Sequence, residues 1–385
     1  MNQSIKVNKR ADGLYHAYNL ISFSDKTISV RHLYEMLEGQ VAVLSSGYLK
    51  AQESLDVLNS LKCSSLFRRD QYSYLLYPDR QLPLFVQKNN IPGEKVKGSK
   101  LLSRLVEDND SSILNTDDLG NYHFNGTFRN SAMLENALNK LDTSKYSALV
   151  SREKEQVLAI FEELFDHQSF TGRSGTFYGY EGLGCIYWHM VSKLLLAAQE
   201  CYFRAFDEGA DPVVVGQIKD HYFEIKAGIG LNKSPELYGA FPTDPYSHTP
   251  GNAGVQQPGM TGLVKEDFIS RMRELGIHIR DGKIVFQISL LNPVELLNQS
   301  VVFEYFDLKG EEQQITLQNG QLGFTFCQVP VLYSVSNEDK ICITFNNGEK
   351  SFIIGHAINN EMSAKVFQRT GDIVQIEVFF RDFVR

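Results

Sequence analysis

The chain has 385 residues, of which 43% are hydrophobic and 22% charged, and its formal net charge is −8. This composition is typical of a globular protein with more than one domain. The acidic balance argues against a nucleic-acid surface, which is normally basic. The five cysteines are scattered without a Cys-x-x-Cys pair, which indicates a reducing compartment and argues against a zinc site or a disulfide framework.

The N-terminal residues are polar, and the chain contains no run of about 18 apolar residues. We therefore expect a cytoplasmic protein without a signal peptide, a transmembrane helix or another membrane contact.

Short, mixed elements are predicted for the N-terminal third. Apolar residues at helical spacing predict helices over residues 28–49 and 54–61. Residues 65–93 are rich in aromatic side chains and contain three prolines, which favours extended or irregular structure. Residues 95–122 are polar and acidic, and we expect them to be rich in loops.

Helices are predicted to dominate the middle of the chain. The strongest candidate covers residues 181–208, where one face is continuously apolar. The pair Asp211-Pro212 opens another helix, because Asp caps a helix and Pro suits its first turn. Further helices are predicted over residues 130–141, 151–166 and 262–275.

The pattern changes after Gly276. Short runs of β-branched and aromatic residues alternate with Asn-Gly and similar turns, which predicts an antiparallel β module. The sequence thus predicts two domains, a mainly α-helical domain over residues 1–276 and an antiparallel, β-sandwich-like module over residues 277–385.

The first candidate site is the segment DPYSHTPGNAGVQQPGMTGLVKED, residues 244–267. Thr261 lies where a helix N-cap is expected, and Gly262 allows a ligand to approach the backbone. The free N–H groups of a first helical turn attract anions. Further donors are available upstream from His248, Gln256 and Gln257. A structural cap after a Pro-Gly turn explains the same residues without a ligand, so both interpretations stay open.

The second candidate site is the segment FTGRSGTFYGYEGLGCIYWHM, residues 170–190. Glu181 follows a Gly-rich aromatic loop and stands at the start of the strongest predicted helix. Partial desolvation beside Tyr178 and Tyr180 would raise the pKa of this carboxylate and suit it to general acid catalysis. Aromatic side chains in the loop also suit stacking on a sugar. The alternative is a glutamate that only complements the helix dipole.

Two weaker candidates remain. His189 stands beside Trp188, but a histidine in an apolar helix is more often a hydrogen-bonded core residue than a catalyst. Residues 67–80 interleave charged side chains with tyrosines and could line a polar cleft or form a surface salt-bridge cluster. The charged residues of this segment are Arg68, Arg69, Asp70, Asp79 and Arg80.

Several catalytic signatures are absent from the sequence. It contains no Gly-x-Ser-x-Gly, no Walker loop, no His-Glu-x-x-His and no Rossmann fingerprint. Serine hydrolase, P-loop, zincin and dehydrogenase functions therefore have little support, and no metal is expected from ligand spacing.

At the first two candidate sites the chain resembles the cellobiose and chitobiose phosphorylases of glycoside hydrolase family 94. Those enzymes carry His-Pro, a glycine-bearing spacer and Trp-Leu-Thr-Gly at the start of a helix, to which HTPGNAGVQQPGMTG is similar. They also carry a Gly-rich loop, Asp-Gly and an aromatic-rich helix, to which GRSGTFYGYEGLGCIYWHM is similar, with Glu181-Gly182 at the Asp-Gly position. The sequence departs from the family in this Glu and in Pro258-Gly259-Met260, which stands where the Trp is expected.

The resemblance implies an (α/α)6 toroid-like helical body, complete or incomplete, followed by a small β module. It also implies inverting cleavage of oligosaccharides with inorganic phosphate as co-substrate and no other cofactor, by a chain that forms a homodimer when complete. Glu181 would be the general acid. Phosphate would bind at His248, Gln256, Gln257, Thr261 and Gly262, and the sugar cleft would include Arg173, Tyr178, Tyr180, Asp244 and Tyr246.

The chemistry of inverting cleavage fits this set. Such cleavage needs an acid on the leaving oxygen and a nucleophile on the opposite face of the sugar. A phosphate ion is already a charged nucleophile, so a second carboxylate is unnecessary.

Other functions remain open. A hydrolase on the same fold would need a second carboxylate, for which Asp70 and Asp244 are candidates. Fewer helices are predicted than the twelve of the family, and the family's N-terminal β-sandwich has no counterpart. The chain is therefore expected to be part of a longer polypeptide or a shortened relative. A non-catalytic carbohydrate-binding or structural piece is the third possibility.

Overall fold

The computed structural model of the protein describes residues 2–24, 26–81, 83–166, 184–229, 233–238, 248–249 and 263–381. Contacts divide the chain into two units, Met1–Thr261 and Gly262–Arg385. The first is mainly helical and the second mainly β, so the predicted order of a helical body followed by a β module is confirmed. Within the described residues, no helix is both long and apolar enough to cross a membrane.

Four helices form the helical body of the first unit. Their bounds are α2 Leu37–Ser45, α3 Ala51–Cys63, α9 Trp188–Asp207 and α10 Pro212–Ala227. Helix α9 packs against the other three, and α10 also packs against α3. Because 13 of its 20 residues are buried, α9 is the central helix of this body. The apolar pattern that predicted it is therefore confirmed for residues 188–207.

The start of α10 is the predicted one, and the start of α9 is not. The Asp211 side chain accepts a hydrogen bond of 2.8 Å from the Val213 N–H, with Pro212 in the first turn. Helix α9 begins at Trp188 and not at residue 181, because Gly184 has φ +66° and the strand β7 (Ile186–Tyr187) precedes the helix. A positive φ interrupts a right-handed helix.

Residues 82–166 form a compact region with its own hydrophobic core. Its elements are α4 Phe85–Lys88, α5 Gly93–Lys97, α6 Lys100–Glu107, β5 Leu114–Thr116, β6 Tyr122–Phe124, α7 Ser131–Asn139 and α8 Thr143–Phe165. The core is a continuous cluster of buried side chains from Ile91 to Phe165.

Helix α6 was not expected in the loop-rich reading of residues 95–122. Three leucines on one face bury it, and the Ser99 side chain caps its start by accepting from the Leu102 N–H. The buried Glu153 of α8 also accepts from the Leu101 N–H at 2.9 Å. The Ser99 cap and the long-range hydrogen bond to Glu153 stabilise a helix of only eight residues in an acidic stretch.

The remaining elements of the first unit are short. They are α1 Asn2–Val7, β1 Asn19–Phe23, β2 Ile28–His32, β3 Phe67–Arg68, β4 Ser73–Tyr74, α11 Pro235–Tyr238 and β8 His248–Thr249. Strand β2 pairs antiparallel with β1, so the helix predicted over residues 28–49 is wrong in its first part. The β-branched residues there favour a strand.

The second unit is built around one five-stranded sheet. Its elements are α12 Leu263–Glu274, β9 Ile277–Arg280, β10 Lys283–Phe286, β11 Val301–Phe306, β12 Glu312–Leu317, β13 Gln321–Phe326, β14 Val329–Val335, β15 Lys340–Phe345, β16 Lys350–Ile354, α13 Asn360–Phe367 and β17 Ile373–Phe380. The sheet order is β13-β14-β17-β15-β16, and β9–β10 and β11–β12 form separate antiparallel pairs. One buried apolar cluster joins β9 and β10 to the inner face of the sheet and to α13.

The predicted antiparallel pairing holds for this unit except at one place. Strands β14 and β17 are parallel, because the chain passes through β15, β16 and α13 before it returns beside β14. A parallel pair requires such a crossover. By its contacts α12 belongs to the second unit, which begins at Gly262. The boundary that the sequence predicts follows Gly276 and so lies on the C-terminal side of α12.

Gly216 within α10 and Gly228, the residue that caps its end, allow a matched test of packing in the helical body. Gly228 caps α10 where a Cβ would overlap the backbone carbonyl oxygen of Tyr72, whereas a Cβ on Gly216 meets open space. We expect Gly228→Ala to lower the free energy of unfolding by about 3 kcal/mol. Gly216→Ala should raise it by about 1 kcal/mol, because alanine favours helix. Urea denaturation of both variants checks this; equal effects of the two substitutions would contradict the close contact.

Candidate functional site

The chain leaves the helical body after β4 and returns to it at Gly184. The Leu76 N–H donates a hydrogen bond of 3.1 Å to the Cys185 carbonyl. Gly184 adopts φ +66° against Asp79, where a Cβ would lie only 2.7 Å from the carboxylate oxygen. Glycine is required here for both its conformation and its size. Residues 80–183, the inserted segment, therefore begin and end at neighbouring points.

A short strand pair joins the two candidate segments of the sequence. Strand β7 follows the Gly-rich aromatic loop, and β8 precedes PGNAGVQQPGMTG. The two strands are antiparallel, with Ile186 opposite Thr249 and Tyr187 opposite His248. Strand β7 also packs against β4. The structure thus brings the end of the segment that holds Glu181 next to the start of the segment that holds Thr261.

Most predicted site residues lie outside the described residues. They are Arg173, Tyr178, Tyr180, Glu181, Asp244, Tyr246, Gln256, Gln257, Thr261 and Gly262. For His248 the structure gives the backbone pairing in β8. Helix α9 begins at Trp188, so its first turn does not include residue 181. Helix α12 begins at Leu263, directly after Gly262.

A buried pair of cations lies beside β7 in the helical body. We call Arg68 and Lys233 the cationic pair; their exposed fractions are 9% and 7%. The Arg68 guanidinium donates two hydrogen bonds of 2.9 Å to the half-exposed carboxylate of Asp70. These bonds hold the pKa of Asp70 below its ordinary value, so Asp70 is ionised and weakly basic at neutral pH.

Lys233 is held by neutral groups. Its ammonium donates to the side-chain oxygen of Gln71 at 3.2 Å and lies 4.9 Å from the ring centre of Trp188. Trp188 is fully buried and packs edge-on against Tyr238. Burial, together with the charge of Arg68, lowers the pKa of Lys233 to about 8, and Asp70 offsets only part of this effect.

Among the described residues, two buried cations face one carboxylate, which is 50% exposed. Guanidinium and ammonium groups bind small anions through charge-assisted hydrogen bonds. The cationic pair is therefore a candidate anion site.

A cavity of about 780 Å³ lies beside the start of the inserted segment and also includes Asp166 in its lining. We call it the neutral cavity, because its charged side chains comprise three arginines and three carboxylates. Its lining residues are Arg10, Arg31, His32, Leu33, Tyr34, Glu35, Met36, Ser65, Tyr77, Pro78, Asp79, Arg80 and Asp166. Of the charged residues of the 67–80 segment, Asp79 and Arg80 line this cavity, whereas Arg68 and Asp70 form a salt bridge.

Cys185 lies between the cationic pair and the neutral cavity. Burial raises the pKa of its thiol; the charge of Arg68 lowers this pKa and that of Asp79 raises it. Asp79 of the neutral cavity and Arg68 of the cationic pair are thus both close to this thiol, so the two regions are adjacent.

The structure places two further sequence candidates at the start of α9. Trp188 belongs to the core, and the His189 ring packs edge-on against Tyr187 at 5.7 Å. The residues that the sequence did not single out are Lys233 and Tyr34. Lys233 lies between α10 and α11, outside the candidate segments of the sequence. Tyr34 carried no signal, because its neighbours in space are distant in the sequence.

One family of known proteins matches part of the chain. Residues 82–168 match the family described as GH149 phosphorylase insertion domain 2. The match coincides with the compact region whose core runs from Ile91 to Phe165 and covers less than a quarter of the chain. The match relates this part of the chain to the glycoside phosphorylases and does not support family 94 in particular. No curated protein matches the chain.

The described part of the chain contains no group of three or more His, Cys, Asp or Glu side chains placed to hold a metal ion. All five cysteines are free thiols.

Removing the Lys233 charge should stabilise the fold. We expect Lys233→Met to raise the free energy of unfolding at pH 7 by about 2 kcal/mol, because a buried cation is replaced by an apolar chain. The pKa of Lys233 is lowered in the folded state, so between about pH 8 and the ordinary lysine pKa the unfolded chain binds more protons. Wild-type stability should therefore gain from rising pH in this window, and the variant should lose this gain.

Urea denaturation from pH 7 to pH 10 measures both effects. Lys145→Met replaces an exposed lysine of the same unit and is the control. A Lys233→Met variant that is less stable than the wild type at pH 7 would show that the lysine is a structural group and not a strained site residue.

Proposed function

We propose that the chain is a glycoside phosphorylase, or the part of one, that cleaves oligosaccharides with inversion and uses inorganic phosphate as nucleophile. The observation that carries this proposal is the β7–β8 pair, because it joins the segments of Glu181 and Thr261. The match of residues 82–168 to a phosphorylase insertion domain supports the same class of protein.

In the proposed reaction Glu181 donates its proton to the glycosidic oxygen. A phosphate oxygen attacks the anomeric carbon from the opposite face, the bond from that carbon to the leaving oxygen breaks, and the configuration inverts. The products are a sugar 1-phosphate and a shortened saccharide. The proposed phosphate ligands are His248, Gln256, Gln257, Thr261 and Gly262. The proposed sugar-binding residues are Arg173, Tyr178, Tyr180, Asp244 and Tyr246.

The cationic pair gives this proposal its electrostatic support. Inorganic phosphate is a dianion or monoanion near neutral pH, and Arg68 and Lys233 are buried cationic side chains of the kind that bind it. Both cations flank β7 through Cys185 and Trp188. We propose that they stabilise the phosphate at the end of the β7–β8 pair.

The low pKa of Asp70 favours phosphorolysis over hydrolysis as the proposed reaction. A hydrolase needs a second carboxylate as a base that activates water. The hydrogen bonds from Arg68 keep the pKa of Asp70 low, so it is a poor base. Asp244, the other carboxylate considered for this role, lies outside the described residues.

We also propose that the helical body is part of an (α/α)6 toroid like that of glycoside hydrolase family 94. Two pairs of consecutive helices, α2–α3 and α9–α10, pack side by side, and such helix pairs are the units of an (α/α)6 toroid. The proposal further includes a cytoplasmic location and either a homodimer or an additional N-terminal segment.

The proposed acid and the proposed anion site have separate tests. Glu181→Gln should lower the rate of phosphate-dependent cleavage of β-glucan oligosaccharides at least ~100-fold, because a positioned acid contributes 10²–10⁴. The variant should keep the rise in melting temperature that millimolar phosphate causes in the wild type, since ligands of the folded state stabilise it. Thr261→Val should remove that rise.

The matched control is Glu155→Gln, which changes an exposed glutamate of α8. Cleavage that proceeds equally well without phosphate would identify a hydrolase. A wild-type chain with neither cleavage nor a phosphate-dependent melting shift would favour the non-catalytic carbohydrate-binding or structural role.

A further inference from the structure

We infer that the neutral cavity binds glycosyl residues of an uncharged oligosaccharide and that one of them stacks on Tyr34. The inference rests on the proposed function in taking a saccharide as the ligand. It assigns binding to described residues that the sequence motifs do not include.

The charges around the neutral cavity do not favour anions. Arg10 pairs with Asp12 at 2.8 Å and with Glu35 at 3.2 Å, and Arg31 pairs with Asp166 at 2.9 Å. Asp79 and Arg80 add one charge of each sign to the lining. A lining with as many carboxylates as arginines does not concentrate an ion, but its carboxylates accept and its guanidinium groups donate hydrogen bonds. Hydroxyl groups are both donors and acceptors and match such a lining.

Tyr34 provides an aromatic surface inside this polar lining. The Arg80 guanidinium carbon lies 3.6 Å from the ring centre, so the arginine covers one face of the ring. Tyr34 is nevertheless 60% exposed, which leaves ring surface open to a ligand. A fixed, amphipathic tyrosine offers a large contact area at low entropic cost.

The Arg80 guanidinium has a hydrogen-bond donor that no described residue satisfies. Its Nε is buried and has no hydrogen-bond partner among the described residues. A buried donor without a partner costs free energy unless a ligand or water satisfies it. A sugar hydroxyl bound in the cavity would satisfy a guanidinium donor while its ring lies on Tyr34.

The size and place of the neutral cavity fit a saccharide of several residues. A volume of about 780 Å³ is in the range of about 300–1,000 Å³ that small-molecule sites occupy. Asp166 directly precedes residues 167–183, and Asp79 touches Gly184, which directly follows them. The segment that contains Glu181 is thus anchored at both ends by residues of the cavity, so a saccharide bound there is close to these anchors.

Isothermal titration of the full chain with cellotetraose and with chitotetraose tests this inference. We expect Tyr34→Ala to weaken binding of the better probe at least ~10-fold and Tyr34→Phe to retain it, because the phenyl ring keeps the stacking surface. Arg80→Met should also weaken binding, because it removes the hydrogen-bond donors. Tyr72→Ala is the matched control, since Tyr72 is 61% exposed and does not line the cavity.

The possible results separate this inference from the proposed function. Unchanged affinity in both Tyr34→Ala and Arg80→Met, with melting curves like that of the wild type, overturns the cavity assignment. Phosphate-dependent cleavage in those variants would then leave the proposed function intact. A wild-type chain that binds neither tetrasaccharide overturns the inference, and the absence of phosphate-dependent cleavage in the same chain overturns the proposed function as well.

Discussion

The arrangement of the first unit depends on the junction between Leu76 and Cys185. One backbone hydrogen bond and the close contact of Gly184 with Asp79 bring together two points that are over 100 residues apart in sequence. Helices α2 and α3 come before the junction, and α9 and α10 come after it. Closing the junction allows α9 to pack between them and places β7 next to β4 and β8. The charges of Arg68, in the cationic pair, and of Asp79, in the neutral cavity, both change the pKa of the Cys185 thiol. The cationic pair and the neutral cavity therefore both lie near this junction.

The site separates two kinds of electrostatic environment over a short stretch of chain. Arg68 and Lys233 are buried cations, whereas the arginines and carboxylates that line the neutral cavity are equal in number. Such a separation suits the proposed reaction between phosphate and an uncharged saccharide, since a uniformly positive cleft would bind phosphate along its whole length. The low pKa of Asp70 fits the same division, because Asp70 compensates charge and does not act as a base.

The sequence predicted those parts of the fold that local patterns determine. The apolar face of α9 and the Asp-Pro start of α10 were read correctly, since both signals lie within the element itself. The predicted start of α9 is too early, because the apolar pattern continues across Gly184, whose positive φ and the following strand β7 precede the helix. The two candidate segments could be named, but their adjacency depends on β7–β8 pairing over more than 60 residues. Lys233 and Tyr34 were missed because Trp188 and Arg80, their ring and cation partners, are remote in sequence.

The inserted segment also sets the order in which the protein can fold during synthesis. About 125 residues separate the end of α3 at Cys63 from the start of α9 at Trp188, so the ribosome needs about 10 s to deliver the partner of the first two helices. The region of residues 82–166 has its own core and can become compact in this interval. Until α9 is synthesised, the apolar faces of helices α2 and α3 are exposed to solvent. The compact insert shortens the distance that the chain must close when Gly184 and Cys185 emerge.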